Sequence, residues 1–171
     1  MTATILIADD DAVQRRLVEN MVRRSGYEAI VVEGGDAAIA ALTADGPVID
    51  ALVLDLVMPG LDGMGVLAKI READINVPVI VQTAHGGIDN VVSAMRAGAH
   101  DFVVKPVGIE RLQVCLRNAL NASALKSELR RVRHSREGRL TFADIVTRSE
   151  AMANVLKAAQ KAASSSIPVL I

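Results

Sequence analysis

Five short apolar runs, separated by blocks with helical spacing, constrain the fold of this 171-residue chain more than any other feature. The runs are rich in β-branched residues and apolar at almost every position, which is typical of strands buried on both faces of a sheet. They cover residues 5–8, 29–32, 51–54, 79–81 and 102–104. The sequence therefore predicts a sheet of five short, buried strands.

The blocks between these runs predict helices. Apolar residues recur at helical spacing between Val13 and Val22, and similar blocks cover 36–42, 64–70 and 88–97. A further helix is expected to begin at Ile109. Because strands and helices alternate along the chain, we predict an α/β fold with an open, doubly wound parallel sheet and helices on both faces.

Polar residues follow four of the five runs. In an open parallel sheet, the functional crevice lies outside the carboxyl ends of the strands. The residues expected at that edge are Asp9, Asp10 and Asp11 after the first strand, Asp55 after the third, Thr83 after the fourth and Lys105 after the fifth. The sequence thus predicts a cluster of carboxylates with one hydroxyl and one ammonium group.

Such a cluster of carboxylates needs a counter-charge. Two unit charges about 4 Å apart interact by about 4 kcal/mol at an effective dielectric constant near 20, and oxygen-only ligands suit Mg²⁺. Asp11 lies beside the start of a helix, where an N-cap is its simplest role. The expected metal ligands are Asp9, Asp10, Asp55 and the backbone carbonyl of Val57.

Asp55 is the strongest candidate for a nucleophile, since it is central and a carboxylate can accept a phosphoryl group as an acyl phosphate. Lys105 and the Thr83 hydroxyl are expected to hold the remaining phosphoryl oxygens. Positioning and charge neutralisation of this kind are the usual means by which proteins catalyse phosphoryl transfer.

These residues resemble the response-regulator receiver domain of two-component signalling over roughly residues 3–120. The resemblance rests on Asp9-Asp10, on the segment 55–63 (DLVMPGLDG), on Thr83-Ala84 and on Lys105-Pro106. It implies a flavodoxin-like sheet in the order 2-1-3-4-5, a sensor histidine kinase as phosphodonor, and Thr83, Ala84 and Lys105 as phosphoryl-binding residues. It also implies a structural role for Pro106 through a cis bond to Lys105.

The resemblance further implies a phosphorylation-driven switch. Thr83 would move toward the phosphoryl group and Phe102 would turn inward, although core packing is an alternative role for Phe102. Val57 and His85 occupy positions where the family varies in dephosphorylation rate. We expect His85 to be a loop residue facing solvent, with a role as general base as the alternative.

The C-terminal part of the chain differs in charge. Residues 1–110 hold 8 Lys/Arg against 16 Asp/Glu, whereas residues 111–139 hold 8 against 2. Residues 121–140 predict a helical linker, either a solvated basic helix or a short coiled coil that makes the chain a homodimer. The proposed seam contains Cys115, Asn118, Ala122, Leu125, Leu129 and Val132, although Cys115 is most simply a packing residue.

Residues 141–171 resemble the start of the AAA+ domain of sigma-54-dependent, nitrogen-regulation-type activators. The similarity lies in the segment 145–152 (IVTRSEAM), in Val155 and in the segment 166–171 (SIPVLI). We expect this segment to be truncated before a G-x-x-x-x-G-K-[ST] loop, so contacts with sigma-54 RNA polymerase and DNA would need a longer protein.

Several classes of protein do not fit the sequence. One cysteine excludes an internal disulfide framework, and no apolar run reaches the roughly 18 residues of a membrane helix. The first residues lack the basic region of a signal peptide, so a cytoplasmic protein without membrane partners is expected.

Three functional hypotheses remain open. The chain is the receiver and linker of a sigma-54-type activator, a stand-alone receiver acting by protein contact, or a Mg²⁺-dependent phosphatase. The phosphatase is disfavoured because Val57, two residues after Asp55, cannot transfer a proton. In the first two hypotheses, the chain catalyses only its own phosphorylation and dephosphorylation.

Overall fold

The structure is a computed structural model that describes residues 2–84, 88–136, 149, 152, 153, 155, 156 and 159. For residues 88, 89 and 127–136 it describes the backbone alone. His85 and most of the segment 137–171 therefore lie outside the described residues, as do the seam side chains of Leu129 and Val132.

Strands and helices alternate in the described chain, as the sequence predicts. The strands are β1 (Thr4–Ala8), β2 (Glu28–Val32), β3 (Ala51–Asp55), β4 (Val79–Ala84) and β5 (Asp101–Lys105). The helices are α1 (Ala12–Arg24), α2 (Gly35–Thr43), α3 (Gly63–Glu72), α4 (Ile88–Ala97) and α5 (Ile109–Arg136). A first compact unit comprises Met1–Ser123 and a second comprises Ala124–Ile171.

The five strands form one parallel sheet in the order β2-β1-β3-β4-β5, which confirms the predicted fold. Three strands extend one to three residues beyond the apolar runs, so that Asp55, Thr83 and Lys105 lie within strands instead of after them. The reason is that backbone hydrogen bonds continue the ladder through a polar residue as readily as through an apolar one.

Alternating strand residues fill two separate cores, one on each face of the sheet. Leu6, Leu52 and Val81 face the first core, which includes side chains of α2, α3 and α4. Ile7 and Val53 face the second core, together with side chains of α1 and α5. Burial of each aliphatic side chain contributes about 1.5–3 kcal/mol, which explains why the central strands are apolar on both faces.

The apolar stripe of α5 is buried in the second core. Leu112, Cys115, Leu116 and Ala119 have no exposed surface, whereas Leu125 is 60% exposed. The packing role predicted for Cys115 is therefore confirmed, and its assignment to an intermolecular seam is wrong. A helix stripe of this period fits an intramolecular core as well as a coiled coil, and here the sheet covers it.

Helix α5 runs from Ile109 to Arg136. The helical linker over residues 121–140 stays a prediction, because residues 137–140 lie outside the described residues. In the segment that resembles an AAA+ domain, Met152, Ala153, Val155 and Leu156 are helical, and the Ala153 amide donates to the Ser149 carbonyl. No helix among the described residues is long and apolar enough to cross a membrane.

Candidate phosphoryl-acceptor site

The predicted polar residues meet at the carboxyl edge of the sheet. Asp9 follows β1 directly, Asp55 ends β3 and Lys105 ends β5. The Lys105 Nζ atom lies 2.7 Å from Asp55 Oδ2 and 2.9 Å from Asp9 Oδ2. One ammonium thus bridges the carboxylates of Asp9 and Asp55 at this edge, whereas the binding of phosphoryl oxygens by Lys105 stays a prediction.

Three carboxylates converge at this point. One oxygen each from Asp9, Asp10 and Asp55 can be chosen so that all three lie within 4.8 Å of one another. Asp9 is fully buried and Asp55 nearly so, whereas Asp10 is exposed. When ionised, the three carboxylates outnumber the single ammonium, so the cluster has an excess of negative charge that a divalent cation would balance.

Burial and ion pairing act against each other in this cluster. Burial raises the pKa of Asp9, and the hydrogen bond and charge of Lys105 offset only part of that effect. Burial also opposes the charge on Lys105, but its hydrogen bonds to Asp55 and Asp9 outweigh this and raise the pKa of the ammonium. Lys105 therefore remains protonated and positively charged at neutral pH.

The backbone around each acid fixes its orientation. The Val57 amide donates to Asp55 Oδ1 over 3.3 Å, and the Asp11 amide donates to Asp9 Oδ1 over 2.9 Å. Each acid thus has one oxygen bound to a backbone amide and the other bound to Lys105. The Val57 side chain is 75% exposed, and its carbonyl as a metal ligand stays a prediction.

Asp11 has the N-cap role that the sequence predicts. Its Oδ1 accepts from the backbone amides of Val13 (2.8 Å) and Gln14 (3.1 Å) at the start of α1. These hydrogen bonds, with the Gln14 amide having the larger effect, lower the pKa of Asp11. Asp11 therefore anchors the helix, while Asp9 and Asp10 supply the oxygens of the cluster.

The remaining predicted site residues lie on β4 and β5. Thr83 is buried on β4, the strand between those that carry Asp55 and Lys105, and Ala84 pairs in register with Lys105. Phe102 is half-buried and packs against the first core. The Lys105–Pro106 bond is cis, as the resemblance implies.

Gly63 permits close packing behind the acceptor carboxylate. A Cβ atom at Gly63 would collide with the backbone carbonyl of Asp55 and with the Cα atom of Leu56. Asp62 caps the same helix, because its Oδ1 accepts from the Gly65 amide over 2.8 Å. The Asp62-Gly63 pair thus sets α3 directly against the end of β3.

A brace formed by Arg15 and Glu33 is a feature that the sequence analysis missed. Arg15 NH1 donates to the backbone carbonyls of Asp9 (2.7 Å) and Asp10 (3.3 Å), and Arg15 NH2 lies 3.0 Å from Glu33 Oε1. The arginine side chain is only 13% exposed, and its hydrogen bonds hold the backbone of Asp9 and Asp10 in place. Every residue has a backbone carbonyl, so hydrogen bonds to carbonyls leave no pattern in a sequence. The one signal for this contact is an arginine in the first helical turn after three consecutive acidic residues.

Comparisons with known proteins agree with this geometry. Residues 5–117 match the response regulator receiver domain family. The chain is 31% identical over 167 residues to the regulatory protein AtoC of Escherichia coli, covering 98% of this chain and 36% of that protein. It is also 31% identical over 167 residues to the DNA-binding transcriptional regulator NtrC of Salmonella typhimurium, covering 98% and 34% respectively. The chain thus spans about a third of the length of these relatives.

Solved structures give the same assignment. A receiver domain protein of Clostridium thermocellum is 30% identical with a TM-score of 0.67, covering 72% of this chain and 98% of that one. NtrX of Brucella abortus, crystallised with ADP, is 32% identical with a TM-score of 0.72, covering 95% of this chain and 34% of that one. The chain belongs to the response regulator receiver domain family.

Proposed function

We propose that this chain accepts a phosphoryl group on Asp55 from the phosphohistidine of a sensor histidine kinase. The observation that carries the proposal is the bridge from Lys105 to Asp55 and Asp9, beside three converging carboxylates. The Asp55 oxygen would form a bond to phosphorus as the bond between phosphorus and the histidine nitrogen breaks. The leaving imidazole then takes a proton from solvent.

The carboxylates fit Mg²⁺, because they offer hard oxygen ligands and an excess of negative charge at one point. Asp9, Asp10, Asp55 and the Val57 carbonyl would hold the ion. When bound, it supplies positive charge to the phosphoryl oxygens. Lys105 would turn from the Asp55 carboxylate to a phosphoryl oxygen, with the Thr83 hydroxyl and the Ala84 backbone on the neighbouring strand as the remaining contacts.

The proposed output is a conformational switch. Thr83 lies one residue from Gln82, the register partner of Asp55, and Phe102 pairs in register with Val81 on the same strand. Movement of Thr83 toward the phosphoryl group would shift β4 against β5. This would let the half-buried Phe102 turn inward and change the surface of α4, β5 and α5.

The sigma-54-type activator is favoured over a stand-alone receiver. The similarity to AtoC covers 98% of the chain and the similarity to NtrX covers 95%. Both similarities therefore extend past residues 5–117, which match the receiver family. We therefore propose a receiver (3–120), a helical linker (121–140) and the beginning of an AAA+ domain (141–171). Homodimerisation through α5 and the linker, and a cytoplasmic location, are parts of the same proposal.

Intact mass measurement after incubation with acetyl phosphate and Mg²⁺ tests the acceptor. The native chain should gain the mass of one phosphoryl group, and Asp55→Asn should gain none. Asp74→Asn is a matched control, because Asp74 has a positive φ that asparagine tolerates. Full labelling of Asp55→Asn would place the acceptor elsewhere.

A further inference from the structure

Gln82 is a buried polar residue of β4. Its side chain is fully buried, and neither Oε1 nor Nε2 has a hydrogen-bond partner among the described residues. A buried carboxamide without partners is costly, and such a group is uncommon in folded proteins. An apolar side chain of similar size would be more stable at this position, so the amide calls for a functional explanation.

The register of the sheet places Gln82 beside the acceptor site. Gln82 pairs with Asp55 on one side and with Val103 on the other. Side chains alternate along a strand, and Ile80 and Val103 both face the second core, so Gln82 lies on that face as well. Gln82 and Asp55 are therefore neighbours on one face of adjacent strands.

The ion pair between Lys105 and Asp55 joins the two strands on either side of β4, which carries Gln82. Lys105 is on β5 and Asp55 is on β3, while β4 lies between them in the sheet. The 2.7 Å contact between Lys105 Nζ and Asp55 Oδ2 therefore spans β4, where Ala84 pairs with Lys105 and Gln82 pairs with Asp55. Gln82 is thus the β4 residue paired with Asp55, two positions before the β4 residue paired with Lys105.

We propose that Gln82 is a positioning residue for Lys105 during phosphoryl transfer, an inference that rests on the proposed function. The ammonium has three N–H donors, and two of them bind Asp9 and Asp55 in the structure. As the bond from Asp55 to phosphorus forms, the negative charge on the Asp55 oxygens decreases. Gln82 Oε1 then accepts the third N–H within the transition state and holds the ammonium over β4 while it turns to the phosphoryl oxygen.

The test compares Gln82→Met with the native chain in phosphorylation by acetyl phosphate at saturating Mg²⁺. Methionine keeps the unbranched shape and removes the two unpartnered atoms, so the variant should unfold at a higher urea concentration. Its maximal phosphorylation rate should nevertheless fall on the order of threefold to tenfold, with the half-saturating donor concentration unchanged. If Gln82 had only a structural role, Gln82→Met would change the urea midpoint but not the maximal phosphorylation rate.

Ile80→Val is the matched control, because Ile80 is buried on the same strand and face, further from the site. It should lower the urea midpoint slightly and keep the native rate. In the native chain, the side-chain amide NMR signals of Gln82 should shift on phosphorylation. The proposal is wrong if Gln82→Met reacts at the native maximal rate or if those signals do not move. In either case, labelling that still depends on Asp55 would leave the proposed function standing.

Discussion

The first half of α5 lies against the sheet, whereas the described residues just after it are largely exposed. Leu112, Cys115, Leu116 and Ala119 are fully buried. Leu125 is 60% exposed, and Ala122 and Ala124 are exposed as well. The apolar stripe of α5 thus packs in the second core as far as Ala119, whereas Ala122, Ala124 and Leu125 are exposed.

The largest expected difference in stability is between substitutions of Leu116, which is buried, and Leu125, which is exposed. Leu116→Ala should lower the free energy of unfolding by about 2–5 kcal/mol, because it leaves a cavity in the second core. Leu125→Ala should change that free energy by less than about 0.5 kcal/mol in dilute, monomeric protein. Urea denaturation measures the free energy of unfolding of both variants. Equal losses of that free energy would show that Leu116 and Leu125 are equally well packed.

Cys115 reports on the buried half through its reactivity. Burial, followed by a hydrogen bond with Asp101, raises the pKa of the Cys115 thiol from 9.0 to about 12. At pH 8, alkylation of the folded chain by iodoacetamide should be slower than that of the urea-unfolded chain by roughly a thousandfold or more. Comparable rates would contradict the burial of this thiol.

The same shift gives a direction for the pH dependence of stability. The folded-state pKa of Cys115 lies above the unfolded value of 9.0, so the fold favours the neutral thiol. The contribution of this thiol to the free energy of unfolding is therefore complete below pH 9. That contribution is lost as the pH rises from 9 toward 12. Cys115→Ala should therefore show a smaller loss of stability over this range in urea titrations.

Deletion of residues 124–171 tests whether this part of the chain makes the protein a dimer. If residues 124–171 form a dimer contact, the native chain should sediment as a dimer and the shortened chain as a monomer. Equal sedimentation of both at the same molar concentration would remove the coiled-coil proposal. The shortened chain should keep Asp55 labelling, because the site lies entirely within the first unit.

A small effect is also expected for the surface ion pair at the start of α5. Arg111 NH2 lies 3.1 Å from Asp101 Oδ1 and donates to the Phe102 carbonyl over 3.2 Å. Because the arginine side chain is 52% exposed, Arg111→Ala should cost only about 0.2–1 kcal/mol of unfolding free energy. A loss comparable to that of Leu116→Ala would show that this turn is part of the core.

The five apolar runs and the polar residues after them were sufficient to predict the sheet and its acidic edge. Carboxyl ends of parallel strands must meet at one edge, so Asp9, Asp55 and Lys105 could be brought together without coordinates. The partner of the α5 stripe could not be predicted, because a helical period is the same against a sheet and against a second helix. The spacing alone therefore leaves both a seam and a packing role open for Cys115, and the structure shows the packing role.

Two further features of the site left little trace in the sequence. The Arg15 brace works through backbone carbonyls, which every residue has. Gln82 follows an apolar run and could have been the first residue of a loop, and only the register shows that it is enclosed beside Asp55. Both depend on contacts between elements, which local spacing does not encode.

The most direct test of the account identifies the phosphorylated atom chemically. Sodium borohydride reduces an aspartyl phosphate to homoserine, so the acetyl phosphate-treated chain can be reduced, digested and sequenced by mass spectrometry. Homoserine is expected at position 55 alone, and only when Mg²⁺ is present. Homoserine at Asp9 or Asp10, or labelling at position 55 that is independent of Mg²⁺, would contradict it.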